Sequence, residues 1–473
     1  MKRLSKHLLT ALTGLCFLVA GNAWAMKFKA GDMGTMQIDG SIKASFGATQ
    51  YLDFVEDNDK GDDADFDATR EMSIKTQLII NDNLKGVISF QIGEGSTGGY
   101  FGSSDAGVGG EENGDIIIEL DKLYIDYTTL SGINFKIGSQ GFNMNEISYG
   151  SNLFSEVPAG VSMALPLSET AALEAGWFRM ADLMDDSTNN TDDQADFLYM
   201  KFPTKIGGVN FTPWTAYANI GADVIANADS HSIYSYFDYP TLLTGANSAI
   251  TNPDPTDDVS AYYLGMTLGL DLNDKLSVMA SATYGDMTWE TTTIDATIAG
   301  FFTDFVVDYK MSRCTPEFFA FYGSGPDAND SDLDMMPVLI GGPTYTSSYF
   351  GGSRFNDNMF DSYDSSYATS MWAVGFKIKD IKTGKKLSHE FQFMYAEGTA
   401  DDGIFESPDD ILLNEDESVL EVNFNSEYQI MKNFVFATEL GYMNFNEDSD
   451  YNESVDGTVE DFWKVACSVE LTF

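Results

Sequence analysis

Three cysteines and three histidines in 473 residues are too few for the chemistry that thiols and imidazoles usually carry. Zinc and iron–sulfur sites need such ligands in clusters. Cys16 falls in the leader described below, and Cys314 and Cys467 are far apart in sequence. Cys314 in a stretch read as a loop and Cys467 on the outward face of a strand are poor disulfide partners, since bridged Cα atoms must come within ~7 Å. Basic side chains are also scarce: 26 Lys and Arg stand against 73 Asp and Glu, a formal charge of -47 that repels nucleic-acid phosphate. No G-x-S-x-G elbow accompanies His231, which sits in a polar stretch beside Ser230 and Ser232, so no enzyme is expected. Beyond residue 25 no stretch approaches the ~18 apolar residues of a membrane-spanning helix. Disorder is excluded in turn, because 43% hydrophobic and 13% aromatic residues supply ample surface to bury.

The first 25 residues have the form of a secretory signal. Lys2, Arg3 and Lys6 form a basic start, Leu8 to Ala20 an apolar stretch, and Ala23-Trp24-Ala25 a cleavage site. Export of residues 26–473 is expected, either to the periplasm, to the exterior, or into an outer membrane as a β-barrel.

Periodicity separates these destinations. From Met36 to Ala48 the even positions are Met, Ile, Gly, Ile, Ala, Phe and Ala, whereas the odd ones are Gln, Asp, Ser, Lys, Ser and Gly. Such alternation makes a strand with one apolar and one wet face. The period returns over 72–80 and 84–92, then over 116–128, 133–139, 159–167, 171–180, 195–202, 209–219, 259–272, 276–286, 367–379, 387–398, 418–430, 434–445 and 459–473. Sixteen strands are thereby expected. Their connections alternate between short turns and long polar loops, the asymmetry of an outer-membrane barrel whose short turns face the periplasm. The fold class expected is all-β: a transmembrane antiparallel barrel of about sixteen strands with long acidic loops. A ring this wide cannot fill itself with side chains and encloses water.

Three local patterns add detail. Trp463, Val465, Cys467, Val469, Leu471 and Phe473 alternate down to a terminal Phe, so that Val469, Leu471 and Phe473 resemble the assembly signal of Gram-negative outer-membrane proteins. Phe434, Tyr442, Phe391, Tyr395, Trp372 and Trp463 fall near the ends of apolar faces, where interfacial girdles belong. Residues 133–140, Ile-Asn-Phe-Lys-Ile-Gly-Ser-Gln, resemble the segment by which general diffusion porins enter their third loop, with Ser139 where many porins carry Arg.

The resemblance to those porins, and in acidic style to the abundant porins of sulfate-reducing bacteria, implies a homotrimer of sixteen-stranded barrels, each narrowed by an inward-folded third loop at residues 141–158. That loop holds Glu146 and Glu156, while inward parity on nearby strands offers Lys43, Lys75, Lys85, Lys122 and Lys136. Opposed charges across a narrowing would create a transverse field that orients polar solutes. The expected function is passive diffusion of small hydrophilic solutes and ions, with cations preferred because acidic loops crowd the mouth. The expected partners are outer-membrane lipid and lipopolysaccharide. The acidic loops also offer Ca2+ a place, with Asp57, Asp59, Asp62, Asp63 and Asp65 as ligands, although Gly61 breaks the EF-hand spacing. The alternatives are a substrate-selective porin and an adhesive barrel that works through its loops.

Two segments, 221–258 and 287–366, exceed ordinary connections. The second contains Phe318 to Tyr322 and Met335 to Ile340, which are too apolar to lie free in water. It has three open fates: plugging the lumen, capping a trimer, or adding a hairpin that raises the strand count to eighteen.

Overall fold

The structure, a computed structural model, describes residues 26–29, 34–50, 55–57, 64–93, 118–144, 149, 151, 153–182, 194–222, 224, 258–290, 295–327, 332–339, 344–355, 369–401, 413–446, 457–459 and 461–473. Among these described residues, eighteen antiparallel strands close one ring. They are β1 Thr35–Gln50, β2 Ala64–Asn81, β3 Leu84–Ile92, β4 Ile118–Thr128, β5 Asn134–Ser139, β6 Ala159–Ser168, β7 Ala171–Asp182, β8 Gln194–Lys201, β9 Val209–Ile220, β10 Val259–Asp271, β11 Leu276–Glu290, β12 Asp295–Tyr309, β13 Thr315–Gly323, β14 Met371–Lys382, β15 Leu387–Gly398, β16 Ser418–Met431, β17 Phe434–Asn446 and β18 Phe462–Thr472.

The expected count of sixteen is therefore corrected by one hairpin, β12–β13, which lies inside the segment expected to be a loop from 287 onward. On this hairpin the wall facing the ring's interior is largely apolar (Ile298, Phe302, Val306, Phe319, Phe321), and so is the outer face (Phe301, Phe305, Phe318, Tyr322). With both faces apolar the two-residue rhythm fades, and the sequence loses its strand signature.

Elsewhere the rhythm translates directly into faces. Phe46, Leu123, Ile125, Ile137, Leu264, Phe376, Phe424 and Val465 are exposed on the outside, while Ser45, Thr49, Ser89, Asp126, Ser281, Asn423 and Ser468 are buried on the inside. Short turns close one end: Asn81 Oδ1 accepts from the Asn83 amide at 2.8 Å, and Asn273 Oδ1 accepts from the Lys275 and Leu276 amides. Such side-chain caps favour Asn where the chain reverses.

The ring closes between β1 and β18, from Ser41 opposite Thr472 to Gln50 opposite Trp463. Below that row Phe473 and Gly40 exchange both backbone hydrogen bonds at 2.9 Å. The Phe473 ring then lies where a side chain on residue 40 would stand, since a Cβ there would come 2.6 Å from its Cζ. Residues Met26–Lys29 continue the row, pairing with Thr35 to Ile38. Val469 and Leu471 sit on the outer face between β1 and β17, opposite Ala44 and Phe436 and opposite Ile42 and Phe434.

Candidate functional site

The interior is shaped by two loops that enter it from the end opposite the short turns. The third loop, 140–158, starts where β5 stops: Gln140 donates its amide to Pro158 at 3.1 Å, and Met144 to Phe154 at 2.8 Å. This narrow neck carries Phe142 and Phe154 against the inner faces of β7 and β8. The Phe142 centroid is 4.8 Å from Phe178 and 4.4 Å from Tyr199, while Phe154 stacks on Phe197 at 4.8 Å.

The seventh loop, 324–370, covers the other side. Its segment 344–355 is tied to β15–β18 by side chains that satisfy its backbone. Gln392 accepts from the Ser347 amide at 3.0 Å, Glu421 from the Ser348 amide at 2.9 Å, and Glu439 from the Arg354 amide at 2.9 Å. Lys464 donates to the Ser347 carbonyl and pairs with Glu439 at 3.1 Å. Thr346 and Ser348 hydroxyls add bonds to Glu421 and Asn423, and Arg354 spans Glu427 at 2.9 Å and Glu470 at 3.2 Å. A backbone strip without strand partners would otherwise leave its amides unpaired inside the ring. Tyr345 donates to Asp304 at 3.1 Å. Burial, with Asp304 beside Tyr345 and Glu417 and Glu421 beside Tyr349, holds both phenols well above their ordinary range, so both remain neutral.

The two loops meet. Leu339 donates its amide to the Leu153 carbonyl at 3.0 Å, and Thr344 to that of Tyr149 at 2.7 Å. Tyr149 packs 5.0 Å from Tyr345, and the Lys377 ammonium of β14 stands 4.0 Å over its ring. The outcome is a bridge that buries much of the inner face of β7–β18 on the loop side, including Phe178, Phe197, Tyr263, Phe302, Phe319, Met394, Glu421 and Lys464.

The five lysines expected inside lie on the remaining wall, β1–β5. Lys43 pairs with Glu71, Lys85 with Asp126 and Lys122 with Asp121, each at 3.1 Å. In register, Lys75, Ser89 and Lys122 form one row across β2–β4, and Lys85, Asp126 and Lys136 another across β3–β5. Lys75 is exposed, and Lys85 and Lys122 retain 42% and 33% of their side-chain surface. Lys122 lies against Gly141 at the root of the third loop.

Glu156, by contrast, is exposed at the loop neck, where it accepts from the adjacent Val157 amide, and it pairs with none of these lysines. Glu146 lies outside the described residues, as do Asp59, Asp62 and Asp63. Asp57 belongs to a short strand paired with 457–459, and Asp65 to β2 opposite Thr49. The carboxylates and cations that fasten the seventh loop (Glu421, Glu439, Lys464, Arg354) escape a reading of the sequence. Glu421, Glu439 and Lys464 have only inward parity on otherwise ordinary strands as a signal there, and Arg354, inside the seventh loop, has none.

Known structures carry the same architecture. OccAB2 of Acinetobacter baumannii superposes with a TM-score of 0.54 at 10% identity, over 94% of this chain and 99% of that one. The fold is that of a transmembrane β-barrel. The outer membrane protein OpdK of Pseudomonas aeruginosa gives 0.52 at 9% identity, over 93% and 98%. A BenF-like porin from Pseudomonas fluorescens Pf-5 gives 0.50 at 10%, again over 93% and 98%. Comparison of the sequence with known families and with curated proteins returned no match. The barrel thus shares its form with an outer-membrane protein and a porin, at identities where form alone is common.

Beneath the bridge, toward the short turns, two recesses open into the lumen. One of about 260 Å3 is bounded by Arg354, Glu390, Gln392, Glu427 and Glu439 among others. The other, about 360 Å3, is bounded by Asn143, Glu174, Lys201, Asn210, Thr212 and Trp214 with part of β10 and β11.

Proposed function

We propose that this chain is a passive channel of a Gram-negative outer membrane, exported with a leader over residues 1–25, that lets small hydrophilic solutes and ions diffuse through its lumen. The observation that carries this reading is the wall β1–β5, which keeps Lys75, Lys85 and Lys122 in contact with water, while the bridge of the third and seventh loops closes off the opposite side. The passage then runs off-axis along that wall. Barrels of 16 to 18 strands are wide enough for such an aqueous route.

Two fields act on an ion in this reading. The excess of acidic residues over basic ones, 73 against 26, draws cations toward the mouth. Along the wall the five lysines oppose that preference, and the carboxylates of Asp39, Glu71, Asp121 and Asp126 offset most of their charge. The balance is cation-preferring. The channel works without enzymatic chemistry, its partners are lipid and lipopolysaccharide at the rim, and it assembles as a trimer.

Planar-bilayer recording tests the reading. Discrete open steps, with a reversal potential in a KCl gradient displaced toward the potassium equilibrium potential, are expected. Absence of steps from correctly folded protein would overturn the channel, and displacement toward chloride would overturn the charge preference alone.

A further inference from the structure

The larger recess combines an aromatic floor with polar groups that lack partners. Glu174, Asn210 and Thr212 all face inward, by the parity that buries Phe178 and Trp214 on the same strands. No hydrogen bond or ion pair from any of the three side chains occurs among the described residues, although each borders a volume of about 360 Å3. Lys201, opposite Glu174 in register, donates to the Asn143 carbonyl at 2.7 Å and leans over the Phe142 and Tyr199 rings at 4.9 and 5.8 Å. The ammonium is thus fastened to the neck of the third loop, which roofs the recess. Trp214 closes the floor, its indole set on Gly265, where a Cβ would meet Cζ2 at 2.3 Å.

We infer that this recess is a subsite for a neutral polyhydroxylated solute, of monosaccharide size, reached from the turn side of the channel; the inference rests on the channel reading above. The volume lies within the ~300–1,000 Å3 typical of small-molecule sites, which combine an apolar floor with a few fixed polar groups. One carboxylate and one ammonium on adjacent strands compensate each other, so the recess holds no net charge to attract an ion. What it offers instead is hydrogen bonding in both senses: an amide and a hydroxyl that donate and accept, and a carboxylate that accepts from hydroxyls. A hydroxylated ring satisfies all of these while laying its C–H face toward the indole edge and Met279.

The test is single-channel recording with D-glucose added on the turn side, against glycine as a zwitterionic control, for the wild-type protein and for the Asn210→Leu/Thr212→Val double variant, each normalised to its own open conductance. Saturable reduction of current by glucose, with the half-saturating concentration raised roughly tenfold in the double variant, is expected from the loss of two neutral hydrogen bonds. A linear, unsaturable reduction equal in both proteins overturns the subsite, as does block by glycine without block by glucose. Should no conductance steps appear, the channel reading fails by itself, and saturation-transfer NMR of glucose with the detergent-solubilised protein still decides the recess: transfer that the double variant abolishes supports it, and equal or absent transfer overturns it.

Discussion

Single side chains decide more here than their small number suggests. Gly40 is needed because the Phe473 ring and the Ser73 carbonyl already occupy the space of its side chain: a Cβ at this position would come 2.6 and 2.5 Å from them. Gly40→Val is expected to destabilise the barrel by about 1–3 kcal/mol, the usual cost of overpacking, and to lower its midpoint in urea unfolding. Among the lysines, Lys75 and Lys136 have no ion pair among the described residues, so their charge is offset less directly than that of Lys43, Lys85 and Lys122. Lys75→Gln and Lys136→Gln together are expected to raise the cation-to-anion permeability ratio severalfold, read from reversal potentials. The same exchange at Lys43 should act less on the current, because it also frees Glu71, 3.1 Å away.

At the scale of elements, the seventh loop is held by a small set of buried charges. Glu421 is fully buried and accepts from the Ser348 amide, the Thr346 hydroxyl and Asn423. Glu421→Ala should therefore release the 344–355 segment from β16, for a loss of about 3–5 kcal/mol, the magnitude typical when one member of a buried charged network is removed. A larger and noisier single-channel conductance is the expected readout. A step size identical to the wild type would mean that the bridge stays seated without it. The sequence made the strands legible wherever one face met lipid and the other water, as over Met36–Ala48 and Leu420–Ile430. It concealed β12 and β13, because the seventh loop turns their inner face into a dry contact and erases the contrast on which the reading depends. Met335 to Ile340 signalled burial without saying where, since an apolar segment does not name its partner. The inner lysines were legible by parity alone, but their pairing with Glu71, Asp121 and Asp126 was not: register across neighbouring strands determines it, and one sequence does not contain register.

For the whole molecule, the surplus of acidic side chains sets a field that salt screens. Cation preference should be strongest at low ionic strength and shrink toward unity in ~1 M KCl, where the screening length falls to ~3 Å; a ratio independent of salt would place selectivity in the narrow passage and not in the overall charge. The closing seam has a further consequence, for folding kinetics. Strand β1 finds its partner β18 more than 400 residues along the chain, so this pairing lies at the slow, non-local extreme of contact formation. Until it forms, two ribbons of unsatisfied amides and carbonyls face outward, each a template for another chain. Residues Ser41 to Gln50 and Trp463 to Thr472 are accordingly the stretches that an escorting chaperone must shield, and peptides copying either ribbon should trap the barrel unclosed.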